Sequence, residues 1–153
     1  MTDFTADHNA PVYATGQIEI AADPESVWEI MTDVERWPSW NPEVKSASIV
    51  GPVAEGTGFT WKAGPGTIRS TIRIAERPFA IGWSGKTMTI GARHLWWLQP
   101  TGAGTIVRTE ESWHGFLARL FRKQFQVTVQ KAIDTGLRYL KAEAEKRSGG
   151  PSS

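Results

Sequence analysis

The feature that most constrains this chain is a long helix with nothing helical to pack against. Past Gly115, Leu117, Leu120, Phe121, Phe125, Val129, Ile133, Leu137 and Leu140 recur at three- and four-residue steps, the spacing of one apolar helix face. The other side carries Arg122, Lys123, Gln126, Lys131, Asp134, Arg138 and Lys141. Such a helix runs about 30 residues, or about 45 Å at the usual rise. No second segment is long enough to pair with it as a bundle, so its stripe needs another apolar surface.

That surface is a sheet. Residues 12–20 alternate as a strand. From 43 to 114 the pattern becomes strands and tight turns: 44–50, 58–63, 67–76, 79–84, 88–98 and 105–113, separated by Gly- and Pro-rich turns. Six consecutive strands with short connections predict an antiparallel meander. Between the first strand and these six, Asp23-Pro24-Glu25 signals a helix start, with a capping carboxylate, proline at the first helical position and an acid at the positive end. Val27, Trp28, Ile30 and Met31 give that helix an apolar side. A second short helix or turn follows around 33–37, and Pro38 and Pro42 stop regular continuation. The order is β-α-α-β6-α, an α+β chain whose curved antiparallel sheet wraps the C-terminal helix around an internal apolar cavity.

The 153 residues suit one domain, placed at 11–147, with a disordered start at 1–10 and a disordered Gly/Ser/Pro-rich tail at 148–153. The net charge is +1, with acids and bases mixed along the chain, so no global field favours nucleic acid. Cysteine is absent, which removes disulfides, thiolate metal sites and cysteine nucleophiles and fits a reducing compartment. No apolar run approaches the roughly 20 residues of a membrane span, and the start lacks the pattern of a secretory signal. The expected location is the cytoplasm, without stable membrane insertion. His8, His94 and His114 lack metal-ligand spacing, there is no Gly-x-Ser-x-Gly elbow, and no metal or cofactor is expected. Eight tryptophans are many for so short a chain; wide, stiff aromatic surface suits the walls of a ligand cavity.

The run from 27 to 42, VWEIMTDVERWPSWNP, together with Glu76-Arg77-Pro78, Ile81-Gly82-Trp83 and Thr109-Glu110-Glu111-Ser112-Trp113, resembles the polyketide cyclase/dehydrase and lipid-transport family. That family lies within the START/SRPBCC, or helix-grip, superfamily. The resemblance spans about residues 13–146 and implies the helix-grip fold. It does not choose a chemistry, because such families hold aromatase/cyclases, hydrophobic-ligand carriers and proteins without assigned activity.

Strand alternation selects the residues that face the long helix. The more apolar parity takes Phe59, Trp61 and Ala63; Ile68, Ser70, Ile72 and Ile74; Phe79, Ile81 and Trp83; Ile90, Ala92, His94, Trp96 and Leu98. On the last strand Val107, Thr109, Glu111 and Trp113 fit best, and Phe125, Val129 and Ile133 face them from the helix. His94 and Glu111 then lie inside on neighbouring strands. They form an acid/base couple for an enol or carbonyl ligand, a pair that hydrogen-bonds a ligand, or buried polar groups that satisfy each other or a strand backbone. Trp97 takes the outward parity and marks a candidate contact surface.

Three functions follow as expectations. The first is binding or carriage of a small hydrophobic, ring-containing molecule. The second is a polyketide cyclase, aromatase or dehydratase, a lyase or isomerase using His94 and Glu111. The third is a co-chaperone-like interaction module. Oligomeric state is left open.

Overall fold

Alternation of side chains becomes a seven-stranded antiparallel sheet in the computed structural model of the protein, which describes residues 4–149. The strands are β1 (Val12–Ile20), β2 (Val44–Ile49), β3 (Gly58–Ala63), β4 (Gly66–Glu76), β5 (Ala80–Thr87), β6 (Ile90–Thr101) and β7 (Gly104–His114). Their order across the sheet is β1-β7-β6-β5-β4-β3-β2, so the meander closes by bringing the first strand beside the last. The helices are α1 (Pro24–Thr32), α2 (Trp37–Trp40), α3 (Phe116–Leu120) and α4 (Arg122–Arg147), with a 3-10 turn at Val34–Arg36.

α1 starts as its sequence dictates: the Asp23 carboxylate accepts the Ser26 N–H at 2.9 Å and Pro24 opens the first turn. Its buried face is Val27, Trp28, Ile30 and Met31. Pro38 does not stop α2 but lies in its first turn, where a missing N–H costs no helical hydrogen bond. The long helix is interrupted where the periodicity reads straight through. Phe121 leaves helical geometry at φ −111°, ψ 33°, and separates α3 from the 26 residues of α4.

α4 lies over β1, and a glycine eases that approach. A Cβ on Gly16 would stand 3.0 Å from Ile133 and 3.1 Å from Leu137, so any larger residue would push these side chains back by a few tenths of an ångström. Gln126 accepts the Tyr13 N–H at 3.0 Å and donates to the Tyr13 carbonyl at 2.6 Å. Gln130 and Lys141 donate to the Thr15 and Glu19 carbonyls. The edge strand is thereby covered, which removes a template for intermolecular pairing. Gln126 and Lys141, assigned by periodicity to the solvent side, are bound to this edge instead.

The chain start also departs from expectation. Ala6 is buried, the Asp7 N–H donates to Ser112 Oγ at 3.0 Å, and Arg93 donates to the Thr5 carbonyl at 3.1 Å. From residue 4 onward the segment packs on the convex face of the sheet over Leu95, which is buried there. At the other end Ser148 closes α4 by donating its N–H to the Ala144 carbonyl. The expected disorder of 1–3 and 150–153 concerns residues outside those described.

Candidate functional site

The concave face carries the expected parity over most of its area. Register pairs Phe59 with Ser70, Ile72 with Trp83, Trp83 with His94, Ile81 with Trp96, His94 with Glu111 and Trp96 with Thr109. Directly paired residues share a face, so these side chains stand together toward α4. Two assignments fail. The register shifts between Ile72 and Ile74, so Ile74 opposes Gly82 on the convex side and Ala75 takes the inward place; a bulge inverts parity beyond it. Phe79 precedes β5 in a turn and is 50% exposed.

The inward set divides into a sealed part and an accessible part. Trp37, Phe59, Trp61 and Trp83 pack ring against ring at centroid separations of 5.5–5.6 Å. Trp37 Nε1 donates to the Met31 carbonyl at 3.0 Å and Trp61 Nε1 to Ser70 Oγ at 3.1 Å. Phe59, Ser70, Ile72, Ile81, Trp83, Ile90, Val129 and Ile133, expected to line open space, are buried. They form core around the site because the helix and the aromatic cluster close on them. Trp61, His94, Trp96, Glu111, Trp113 and Phe125 retain partial exposure. Trp113 and Phe125 meet at 5.3 Å, Phe125 and Phe121 at 6.2 Å. An open groove of about 730 Å³ lies elsewhere, on the convex face.

His94 is held in a network that fixes its proton. Its Nε2 lies 3.0 Å from Thr109 Oγ1, and Thr109 Oγ1 lies 2.8 Å from the Leu95 carbonyl oxygen. A carbonyl only accepts, so the single hydroxyl proton of Thr109 goes to Leu95. Thr109 can then only accept from the imidazole, which places the ring proton on Nε2 and leaves Nδ1 with a bare lone pair. Burial pushes the His94 imidazole below its ordinary value of 6.5, against the opposing pull of Glu111, so the neutral ring is the resting form.

Glu111 faces that lone pair. Its Oε2 accepts Trp113 Nε1–H at 2.9 Å, and its Oε1 lies 3.6 Å from His94 Nδ1, too far for a hydrogen bond. The two groups do not satisfy each other. His94 Nδ1 and Trp96 Nε1 are both buried without a partner, on rings whose centroids are 5.0 Å apart. An acceptor and a donor thus stand unused on adjoining aromatic walls. Trp40 Nε1 is also unpartnered, at the helix pair. Trp97, expected outward, stands on the convex face with the Arg108 guanidinium 4.3 Å over its ring, so it does not centre an open apolar patch. Among the described residues no cluster of histidine and carboxylates could hold a metal ion.

Comparison with known proteins matches this architecture. The model of the family described as polyketide cyclase / dehydrase and lipid transport matches residues 11–145. The chain belongs to that family. No functionally curated protein matches it in sequence. Among solved structures, the Zhui aromatase/cyclase from Streptomyces sp. R1128 superposes with a TM-score of 0.77 at 16% identity, covering 89% of this chain and 94% of that one. A START superfamily protein from Mycobacterium smegmatis gives 0.66 at 19%, covering 86% and 92%. A hypothetical protein from Helicobacter pylori gives 0.80 at 13%, covering 94% and 99%. At these identities the likeness establishes the START-like fold and not an activity. No helix among the described residues is long and apolar enough to cross a membrane.

Proposed function

We propose that this family member binds a small ring-containing hydrophobic molecule between the sheet and α4, and that the molecule carries a hydroxyl group. The observation that carries this reading is the bare Nδ1 of His94, buried without a partner in aromatic surroundings. Buried polar atoms are normally satisfied, and leaving one unmade costs about 1–3 kcal/mol. A ligand hydroxyl donating to Nδ1 removes that cost, and Trp96 Nε1–H supplies a donor for a second ligand oxygen. Trp61, Trp96, Trp113 and Phe125 offer ring faces to the apolar body, and Ser70, Thr109 and the buried aliphatic residues act from behind them.

The test is a paired titration with 2-naphthol and naphthalene, followed by tryptophan fluorescence and native mass spectrometry. The expected result is measurable binding of 2-naphthol that His94→Ala weakens to the level of naphthalene. Equal binding of the two compounds, unchanged by His94→Ala, would overturn the reading.

Turnover has one specific support. A neutral imidazole with a bare lone pair beside a carboxyl is equipped to take a proton from an enol or an activated carbon. A step of the cyclase, aromatase or dehydratase type, the class to which the Zhui aromatase/cyclase belongs by its name, would use His94 as base and Glu111 to stabilise the imidazolium formed. Normal turnover of a polyketide-like substrate by His94→Ala would remove this mechanism.

A further inference from the structure

The convex face of the sheet, away from α4, gathers cations that the sequence disperses. Its open groove of about 730 Å³ is bordered by Arg69, Arg73, Lys86 and Arg93, and no carboxylate is among its lining residues. Arg69 on β4 stands directly opposite Lys86 on β5. Like charges at directly opposed positions of a sheet repel and destabilise it, and here they occupy neighbouring strands of one wall. Among the described residues none of the four cations forms an ion pair. Arg73 and Arg93 lie 5.5 and 5.6 Å from the Phe4 ring centroid, so the aromatic ring holds both guanidinium groups at the groove. Thr71 and Ser84 are paired in register on the same face, between Arg69/Lys86 and Arg93, and they add hydroxyl donors.

We infer that this groove is a binding site for a compound bearing two or more phosphate groups. Multiple charge suits it, because four cations from three strands, Arg69, Arg73, Lys86 and Arg93, border it with no carboxylate among its lining residues to balance them. Arginine forks pair bidentately with phosphate oxygens, and the volume is that of a small-molecule site. A nucleic acid fits less well: the chain's net charge is only +1, and of the two rings at the groove, Phe4 is already occupied by guanidinium groups, which leaves only His114 to stack a base. The phosphates belong either to a free metabolite or to a lipid headgroup. The four cations stand on the opposite face from His94, so the inference does not rest on the function proposed above.

The experiment follows backbone amide shifts by NMR while inorganic tripolyphosphate is added, for the wild type and for the double variant Arg69→Gln, Lys86→Gln. In parallel, sedimentation measures binding to phosphatidylcholine vesicles with and without a phosphatidylinositol phosphate. The variant removes a like-charge pair away from the core, so its thermal midpoint should stay level or rise, which keeps the comparison interpretable. The expected result is shifts confined to β4, β5 and β6 around the groove, with affinity lowered about tenfold or more in the variant, as when charge-assisted hydrogen bonds are lost. Tripolyphosphate binding of this kind assigns a soluble ligand; vesicle binding alone, dependent on the phosphoinositide and lost in the variant, assigns a headgroup. Shifts spread over all basic residues and equal in the variant would overturn the inference. So would binding of neither probe.

Discussion

At the residue scale, the chemistry of the concave face turns on one proton. Thr109 is fully buried, and its hydroxyl links His94 Nε2 to the Leu95 carbonyl. Thr109→Val keeps the shape and removes the relay, leaving the His94 Nε2–H without a partner and the Leu95 carbonyl without its second one. The expected cost is about 1–3 kcal/mol, read from urea unfolding, and ¹⁵N NMR of the His94 ring should lose its single Nε2–H tautomer. Retention of that tautomer would mean that something other than Thr109 fixes it. Burial also gives the imidazole a pH signature. Its folded value is held below 6.5, whereas the unfolded chain takes up a proton as pH falls through about 6.5. Unfolded chains therefore bind more protons in the interval below 6.5, and stability falls as pH falls there. From about pH 7 to about pH 5 the wild type should lose stability that His94→Gln does not, with a slope of at most about 1.4 kcal/mol per pH unit from this group. Parallel curves for the two proteins would show that His94 titrates normally.

At the scale of elements, connections decide where walls stand. Gly115 joins β7 to α3 at φ +113°, and a Cβ there would lie 2.0 Å from the Thr89 carbonyl oxygen. Gly115→Ala combines backbone strain with a clash against the β5–β6 turn, so about 3 kcal/mol or more should be lost. Gly102→Ala, at a turn with open space around it, should stay within about 0.5 kcal/mol of wild type. Chemical denaturation of the two variants side by side checks the contrast. Elements of this kind were largely legible in the sequence: the six-strand meander, the Asp23 cap and the long amphipathic helix follow from periodicity and capping chemistry, whereas the pairing of β1 with β7 does not. What periodicity could not supply were interruptions that depend on tertiary packing. The break at Phe121, the bulge that turns Ile74 outward and the seating of Gln126 on the edge of β1 each require a neighbour that the local pattern does not contain. Strand parity placed His94 and Glu111 opposite each other, as the register has them, while His94 is tied through Thr109 to the Leu95 backbone and not to Glu111. A 3.6 Å gap and a competing threonine decide it. The cations of the convex face are spread over three strands, so only register brings them together.

At the scale of the whole molecule, the function proposed above requires a route by which a ligand reaches an interior that is closed on most sides. The end near α1 and α2 is sealed by the Trp37, Phe59 and Trp83 rings, and the C-terminal half of α4 is sealed on β1 by Ile133, Leu137 and Leu140. The end at α3 is different. Only Ala118 of that helix is buried, Phe116, Leu120 and Phe121 are exposed, and Phe125 and Trp113 behind them are partly accessible. Exposed aromatic and aliphatic side chains at a helix break, in front of the least sealed aromatics, make this end the entrance on the function proposed above. A five-residue helix with so little buried surface has few contacts holding it down, so it opens at low free-energy cost. Hydrogen exchange should therefore be faster for residues 116–121 than for residues 129–140 by at least about a hundredfold, a difference of roughly 3 kcal/mol in opening free energy. Addition of 2-naphthol should slow exchange at 116–121 and leave the Trp37 region unchanged, because bound ligand stabilises only the closed form of the element it passes. Protection gained first around Trp37 instead would move the entrance to the opposite end of the sheet.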